Sequence, residues 1–371
     1  MGNITGANSK LLAGISAWNA TPTVNTNINF TSESLTFNVN RTDEGNLLAK
    51  KAALPADVTS MNTSGSVSTI LRPSMIDWLM KAIMNKDGVQ KDAPQAMSNP
   101  PYEHYMEYTL CNADVTGGPR HSTLELSRGG QMRKYEDVVL TNLTVTATAQ
   151  DYVRADFDVT GGNETKITSM TGVAAVDEKS YKCTMARLYA GAPGTIGEDG
   201  VVTTASYGWI TTCPNPNTVA TDGRPLAFDV SETTVTIDPG MVETPALYCS
   251  GMFPSQPSIG QRAITINFTL PYSEDIETFY QNYYRDENAP QLSLDLVFTA
   301  PLISGGVPVQ EAIDVIEITL PNVQINSYSG NVDGVDLINA TIGGTAMSPR
   351  NGSGDSDNPI IVRHWESYNI I

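Results

Sequence analysis

Residues 34–161 and 228–344 run through one series of elements in one order. An internal repeat of this kind restricts the chain to folds that use a single supersecondary plan twice. Residues 34–40 (SLTFNVN) alternate as a β-strand does, and so do residues 233–238 (TTVTID). Each is followed by a long loop, then by a strand that runs into proline, 66–73 in the first copy and 263–271 in the second. Phe37 with Val235 and Pro73 with Pro271 share an offset of 198 residues. Further on, 140–143 (LTNL) matches 320–323 (LPNV), and Gly161 and Gly162 match Gly343 and Gly344. Alternation recurs at 122–127, where Leu124 and Leu126 point one way, and at 140–148, 152–159, 292–298 and 315–320. Period-two patterning predicts antiparallel sheets with one buried and one polar face.

A short helical pattern follows each proline. Met75, Ile76, Leu79, Met80 and Ile83 recur at helical spacing in the first copy. In the second, Ser273 can cap the helix, Glu274 and Asp275 fill its first turn, and Ile276, Phe279, Tyr280 and Tyr283 form its stripe. Such a stripe packs on the domain's own sheet. The predicted fold is therefore mainly β. It has two tandem antiparallel β-sandwich or barrel-like domains, each with one short flanking α-helix. The domains are placed at 1–190, with an N-terminal arm, and at 226–347. A Gly- and Pro-rich linker at 191–225 separates them, and a spacer and arm occupy 348–371. In that arm, 360–368 reads as one more strand behind a flexible spacer, placed to dock on a neighbour.

Both long loops, 43–63 and 240–260, exceed the connection a compact domain needs, and such loops are functional. They carry Leu47, Leu48, Leu54 and Met61 in one and Leu247, Tyr248, Met252 and Phe253 in the other. Apolar residues on a protruding loop point to burial against another molecule or back on their own domain.

The chain has 40 acidic and 22 basic residues, a net charge of −18. Residues 1–190 hold 19 acidic and 17 basic groups, and 191–371 hold 21 and 5, so the excess lies in the second half. This balance argues against nucleic-acid binding, which needs Lys and Arg at the phosphates. No apolar run is long enough for a membrane helix, and no charged leader precedes an apolar segment, so neither a span nor a secretion signal is predicted. Cys111, Cys183, Cys213 and Cys249 have no metal-ligand spacing and read as reduced, mostly buried thiols. His104, His121 and His364 are scattered, which leaves no zinc site, and no cofactor is expected. No nucleophile elbow, P-loop or His-Glu-x-x-His helix occurs. Asp156 and Asp158 alternate on one strand face, a solvated arrangement and not an acid–base pair. The aspartates at 333–336 and 355–357 do not follow calcium-loop spacing.

The order of strand, long loop, strand ending in proline, short helix, strand and closing hairpin with Gly-Gly resembles the tail tube proteins of long, non-contractile-tailed bacteriophages. The leader at 2–14 (GNITGANSKLLAG) and the segment 135–147 (YEDVVLTNLTVTA) are similar to that family as well. The resemblance spans residues 1–345, with the tube domain present twice. It implies a structural, non-enzymatic virion protein, assembled in the host cytoplasm. Its inner sheets join into a ring around a lumen that double-stranded DNA crosses without specific binding, and its long loops reach the next ring. Six domain places filled two per chain imply homotrimeric, pseudo-hexameric rings. Tape measure, tail terminator and distal tail proteins are the implied partners. The alternative, an adhesin or receptor-binding virion protein built on β-sandwiches, would also explain the Thr and Asn richness and the missing catalytic motifs. A carbohydrate-active enzyme would cluster its tryptophans, whereas Trp18, Trp78, Trp209 and Trp365 are dispersed.

Overall fold

A computed structural model describes residues 9–18, 20–42, 56–92, 104–110, 120–174, 178–183, 187–191, 226–228, 230–244, 255–272, 276–277, 280–285, 292–304, 307–331, 339–348 and 358–365. Among the described residues, nineteen strands form one sheet system, and two more pair separately.

The first half holds β1 (Lys10–Ala17), β2 (Thr23–Ile28), β3 (Phe30–Glu33), β4 (Thr36–Thr42), β5 (Asp57–Ile70), α1 (Pro73–Met84), β6 (Val89–Asp92), β7 (His104–Thr109), β8 (Arg120–Arg128), β9 (Gln131–Thr148), β10 (Arg154–Gly161) and β11 (Glu164–Lys166). The remainder holds β12 (Arg187–Gly191), β13 (Leu226–Phe228), β14 (Glu232–Asp238), β15 (Met241–Thr244), β16 (Ser255–Ile259), β17 (Ala263–Pro271), a π-helical turn (Gln281–Arg285), β18 (Leu292–Ser304), β19 (Val307–Asn331), β20 (Asn339–Ala346) and β21 (Ile361–Trp365).

Hydrogen-bonded neighbours run β4–β5–β10–β9–β8–β1–β2 in the first half. In the second they run β14–β17–β20–β19–β18–β12–β13, the same order strand for strand. Two bulges fix the register between the halves. One opens opposite Ser122 and Leu124, whose partners are Val138 and Tyr135; its counterpart opens opposite Leu292 and Leu294, whose partners are Val323 and Leu320. The other leaves Thr141 unpaired on β9 and Asn326 unpaired on β19. Both bulges relate β9 to β19 by the same shift of 185 residues. Carried through the ladder, that shift places Phe157 on Ile342, Val67 on Phe268, Phe37 on Ile237 and Leu11 on Leu188. Except for the half-buried Phe37, these are all core residues.

The residue matches suggested by the sequence are therefore displaced. Phe37 stands with Ile237 and not Val235, Leu140 with Ile325 and not Leu320, and Gly161 with Ala346 and not Gly343. The cause is that short Thr- and Val-rich strands look alike at several shifts, and an odd slip exchanges the two faces. The true shift is the one that keeps buried positions on buried positions.

The core face of the sheet is continuous across both halves. One row runs Val67, Phe157, Leu143, Ile237 and Ile264, all buried. Helix α1 covers it in the first half. Its whole expected stripe is buried, as are Trp78, Ala82 and Met84, and Trp78 meets Phe157 edge-on at 5.5 Å. No side chain of Arg72 caps the helix; instead Ser74 donates its N–H and hydroxyl to Glu178 at 2.8 and 2.6 Å. Asn85, in the left-handed conformation, ends it. In the second half, Ile276 is buried and Tyr280 lies against Tyr328; Ser273, Phe279 and the first-turn acids lie outside the described residues, and nothing is described of the Tyr283 side chain. Strands β8 and β9 are joined by Gly129 and Gly130, both at positive φ, the turn that matches a twisted two-residue hairpin.

Strand β8 departs from the expected alternation. Thr123, Glu125 and Ser127 are buried along with Leu124 and Leu126. The segment following β11 covers that second face: Glu125 accepts the Thr171 N–H at 2.7 Å and its hydroxyl at 2.9 Å.

Candidate assembly surfaces

In the polar-faced sheet the halves meet through one strand pair. Leu143 to Thr148 of β9 pair antiparallel with Glu232 to Ile237 of β14, so the sheet β4–β5–β10–β9–β14–β17–β20–β19 continues across the junction. Its core side is Leu143 and Val145 against Ile237 and Val235, all buried. Its other side pairs threonines: Thr144 with Thr236 and Thr146 with Thr234, hydroxyl oxygens 3.4 and 3.5 Å apart.

That polar side extends over the whole sheet. One row reads Ser68, Asp156, Thr144, Thr236, Thr265 and Thr345, and the next reads Arg154, Thr146, Thr234, Asn267 and Gly343. Neighbouring strands are bridged by short side chains. Asn38 donates to Ser64 at 2.9 Å, Asn142 to Asp158 at 3.4 Å and Asn326 to Thr345 at 2.6 Å, and the Thr269 and Thr341 hydroxyls are 3.1 Å apart. The cation in these rows, Arg154, is bound to Asp151 at 3.0 Å.

Both ends of this sheet present open edges among the described residues. Strand β4 pairs only with β5. On β19, residues beyond Val323 pair with β20 on one side, while the pairing with β18 on the other ends at Val323. Val39 on β4 is 39 % exposed, and Tyr284 beside Tyr328 is 40 % exposed.

A second junction crosses between the halves on the outer layer. Strand β21 pairs with β19 on one side and β7 on the other, so the C-terminal strand docks within its own chain. Its Arg363 is buried between Glu107 Oε2 on β7 at 3.2 Å and Glu317 Oε2 on β19 at 3.3 Å. Burial alone would lower the Arg363 pKa, but Glu317 and Glu107 outweigh it and raise it. Asp295 completes the cluster, accepting from Thr319 at 2.9 Å. Burial, with Glu317 beside it, pushes its carboxyl well above the usual range. His364 Nε2 lies 3.0 Å from Asp314, which also accepts from the Tyr181 hydroxyl. The sequence reading missed this cluster. Its only trace is acids embedded in apolar runs, Asp295 between Leu294 and Leu296 and Glu317 between Ile316 and Ile318.

Of the loop residues singled out from sequence, Leu47, Leu48, Leu54, Leu247, Tyr248, Met252 and Phe253 lie outside the described residues. Met61 does not sit in a loop: it is on β5, half-buried, opposite Val39. The strands shorten both loops. In the second half β15 and β16 pair as a hairpin, and Met241 Sδ there lies 3.1 Å from Asn85 Nδ2 at the end of α1. No His, Cys, Asp and Glu group among the described residues has metal-holding geometry, and no helix among them is long and apolar enough to cross a membrane. Cys183 is free and half-buried; the other cysteines are not among the described residues.

The described residues thus form a continuous sheet that is polar on one face and ends in an open edge on each side. The profile of the family described as phage tail tube protein matches residues 6–346, so the chain belongs to that family. It is a non-enzymatic structural component of a virion tail. The match takes in both halves. A comparison with curated protein sequences gives no match.

Proposed function

We propose that this chain self-assembles into rings that stack as a tail tube and form a conduit for DNA delivery into the host. The observation that carries the reading is the β9·β14 junction, which already joins two like-ordered sheets into one. We read residues from β1 to β11 and from β12 to β20 as two tube units. Three chains then supply six places, giving a pseudo-hexameric homotrimeric ring. The second unit includes β12 and β13, so its first strands lie on either side of the Gly- and Pro-rich stretch.

The polar face of the eight-strand sheet is proposed to line the lumen. Its Ser, Thr and Asn are short and internally hydrogen-bonded, and its acids Asp156, Asp158 and Glu232 repel phosphate at short range. Double-stranded DNA passes it without being held. The loops around Leu47, Leu48 and Leu54 and around Leu247, Tyr248, Met252 and Phe253 are proposed to contact the next ring. Tape measure, terminator and distal tail proteins are the further partners. Cryo-EM of concentrated protein tests the reading: three chains per ring in stacked tubes are expected. Monomers under all salt and concentration conditions would overturn it, and specific glycan affinity of the monomer would favour the adhesin reading.

A further inference from the structure

Within one chain, β9 and β14 saturate each other, while among the described residues their counterparts β19 and β4 are open at opposite ends of the same sheet. The halves correspond residue by residue, so the internal junction is a template for a second one. We propose that β4 of one copy adds antiparallel to the β19 edge of the next, with Phe37 opposite Tyr328, Thr36 opposite Ser329 and Leu35 opposite Gly330. This rests on the ring reading and specifies how its rings close.

The register follows from two shifts already fixed by the bulges and the ladder. Leu143 corresponds to Tyr328 and Ile237 to Phe37; Leu143 faces Ile237. Thr144 corresponds to Ser329 and Thr236 to Thr36; Thr144 faces Thr236. The pattern of side chains survives the transfer. The internal junction places apolar pairs on the core face and hydroxyl pairs on the other. The closing junction places Phe37 and Leu35 against Tyr328 and Gly330, and Thr36 against Ser329. No like charges oppose each other, which cross-strand pairing would penalise. The edges also have a reason to seek a partner. Open edges with exposed apolar side chains are templates for strand addition, and Val39 and the Tyr328–Tyr284–Tyr280 group supply that surface.

Paired single-cysteine chains test this. A Phe37→Cys chain mixed with a Tyr328→Cys chain, and Thr36→Cys with Ser329→Cys, should form intermolecular disulfides on assembly. Directly opposed residues lie about 4.5–5.5 Å apart at Cα, within disulfide reach. A Thr36→Cys chain with an Asn331→Cys chain, two residues out of register, should cross-link roughly tenfold less, the diagonal distance being about 7–8 Å. Peptide mapping separates these bonds from any made by native cysteines. Equal or stronger cross-linking of the shifted pair would overturn the register while leaving the ring reading intact. Should a substituted chain misfold, cryo-EM of the unsubstituted tube reads the same contact. Thr36 facing Ser329 is expected; any other strand at the β19 edge overturns the closure. If the unsubstituted chain forms no rings at all, closure and ring reading fall together.

Discussion

Arg363→Met should be among the most damaging single substitutions in this chain. Arg363 is 2 % exposed and is the cation between Glu107 and Glu317. Methionine roughly keeps the volume of the side chain but removes the charge, leaving Glu317 buried without this cation, Glu107 with only the half-buried Lys91 at 2.6 Å, and a third carboxyl at Asp295. Breaking a buried ion pair by deleting one partner costs about 3–5 kcal/mol, because the survivor stays desolvated. Unfolding entropy near 2.1 cal/mol/K per residue gives roughly 0.8 kcal/mol/K if the 371-residue chain unfolds as one unit. If one half unfolds first, the figure is roughly 0.4 kcal/mol/K. A loss of about 4 kcal/mol then lowers Tm by roughly 5 to 10 °C in a calorimetric scan of unassembled protein. Neutralising the partners in the triple variant Arg363→Met, Glu107→Gln, Glu317→Gln should recover at least half of that, since the buried charges left without Arg363, Glu317 above all, are the source of the cost. A shift below about 1 °C for the single variant, or a triple variant less stable than the single one, would refute the reasoning.

Gly162→Ala should destabilise by about 1–3 kcal/mol in denaturant unfolding, because a Cβ there would lie 1.5 Å from the Glu136 carbonyl oxygen and only backbone movement can relieve it. His121 Nδ1 lies 2.8 Å from Asp137; burial lowers the His121 pKa, but the Asp137 contact and the Ala20 and Ala17 carbonyls outweigh it and raise it, while His121 lowers that of Asp137. The His121 contribution is full below its ordinary pKa near 6.5 and is lost as pH rises through its raised value; the Asp137 contribution is full above about 3.8 and is lost as pH falls through its lowered value. Stability of wild type relative to His121→Gln should therefore peak between about pH 4 and 6.5, and a flat difference from pH 4 to 9 would count against the pair. Deleting residues 247–253 should leave a folded chain that forms rings but does not elongate, as seen in electron micrographs. Duplex DNA at low salt should show no sub-micromolar gel shift with assembled or free protein, since few surfaces gather the phosphate contacts tight binding needs.

The sequence made the strands legible and the register not. Alternation in β10 or β14 shows directly which side chains enter the core, because each second residue of 154–161 and 232–238 is apolar or small where it must be. What pairs with what depends on bulges, and a bulge has no strong sequence mark. Thr141 and Asn326 are ordinary strand residues that happen to be skipped by their partners. Strand β12 was hidden for a different reason: it precedes a Gly- and Pro-rich stretch and finds its partner β18 about a hundred residues later. The Arg363 cluster was hidden because a charged residue on a short strand is read as solvent-facing by default, and only the packing of β21 between β7 and β19 reverses that.

On the proposed reading, joining two units in one chain changes how a ring is built. In the proposed ring, the β9·β14 junction would form on folding, at the effective concentration set by covalent linkage, so six units would need three encounters between chains and not six. The two junctions then face different demands. The internal one is never exposed and is apolar on its core side, with Leu143, Val145, Val235 and Ile237 all buried. The closing one must spend time as free edges in unassembled protein, where a long apolar edge invites uncontrolled pairing. Strand β4 is correspondingly polar, with Asn38, Asn40 and Arg41 around the single exposed Val39, and the β19 edge carries Asn326, Ser329 and Asn331. Both junctions carry apolar side chains on the core face, and what sets the free edges apart is the polar residues around them, the distribution expected if one junction is made by folding and the other by assembly.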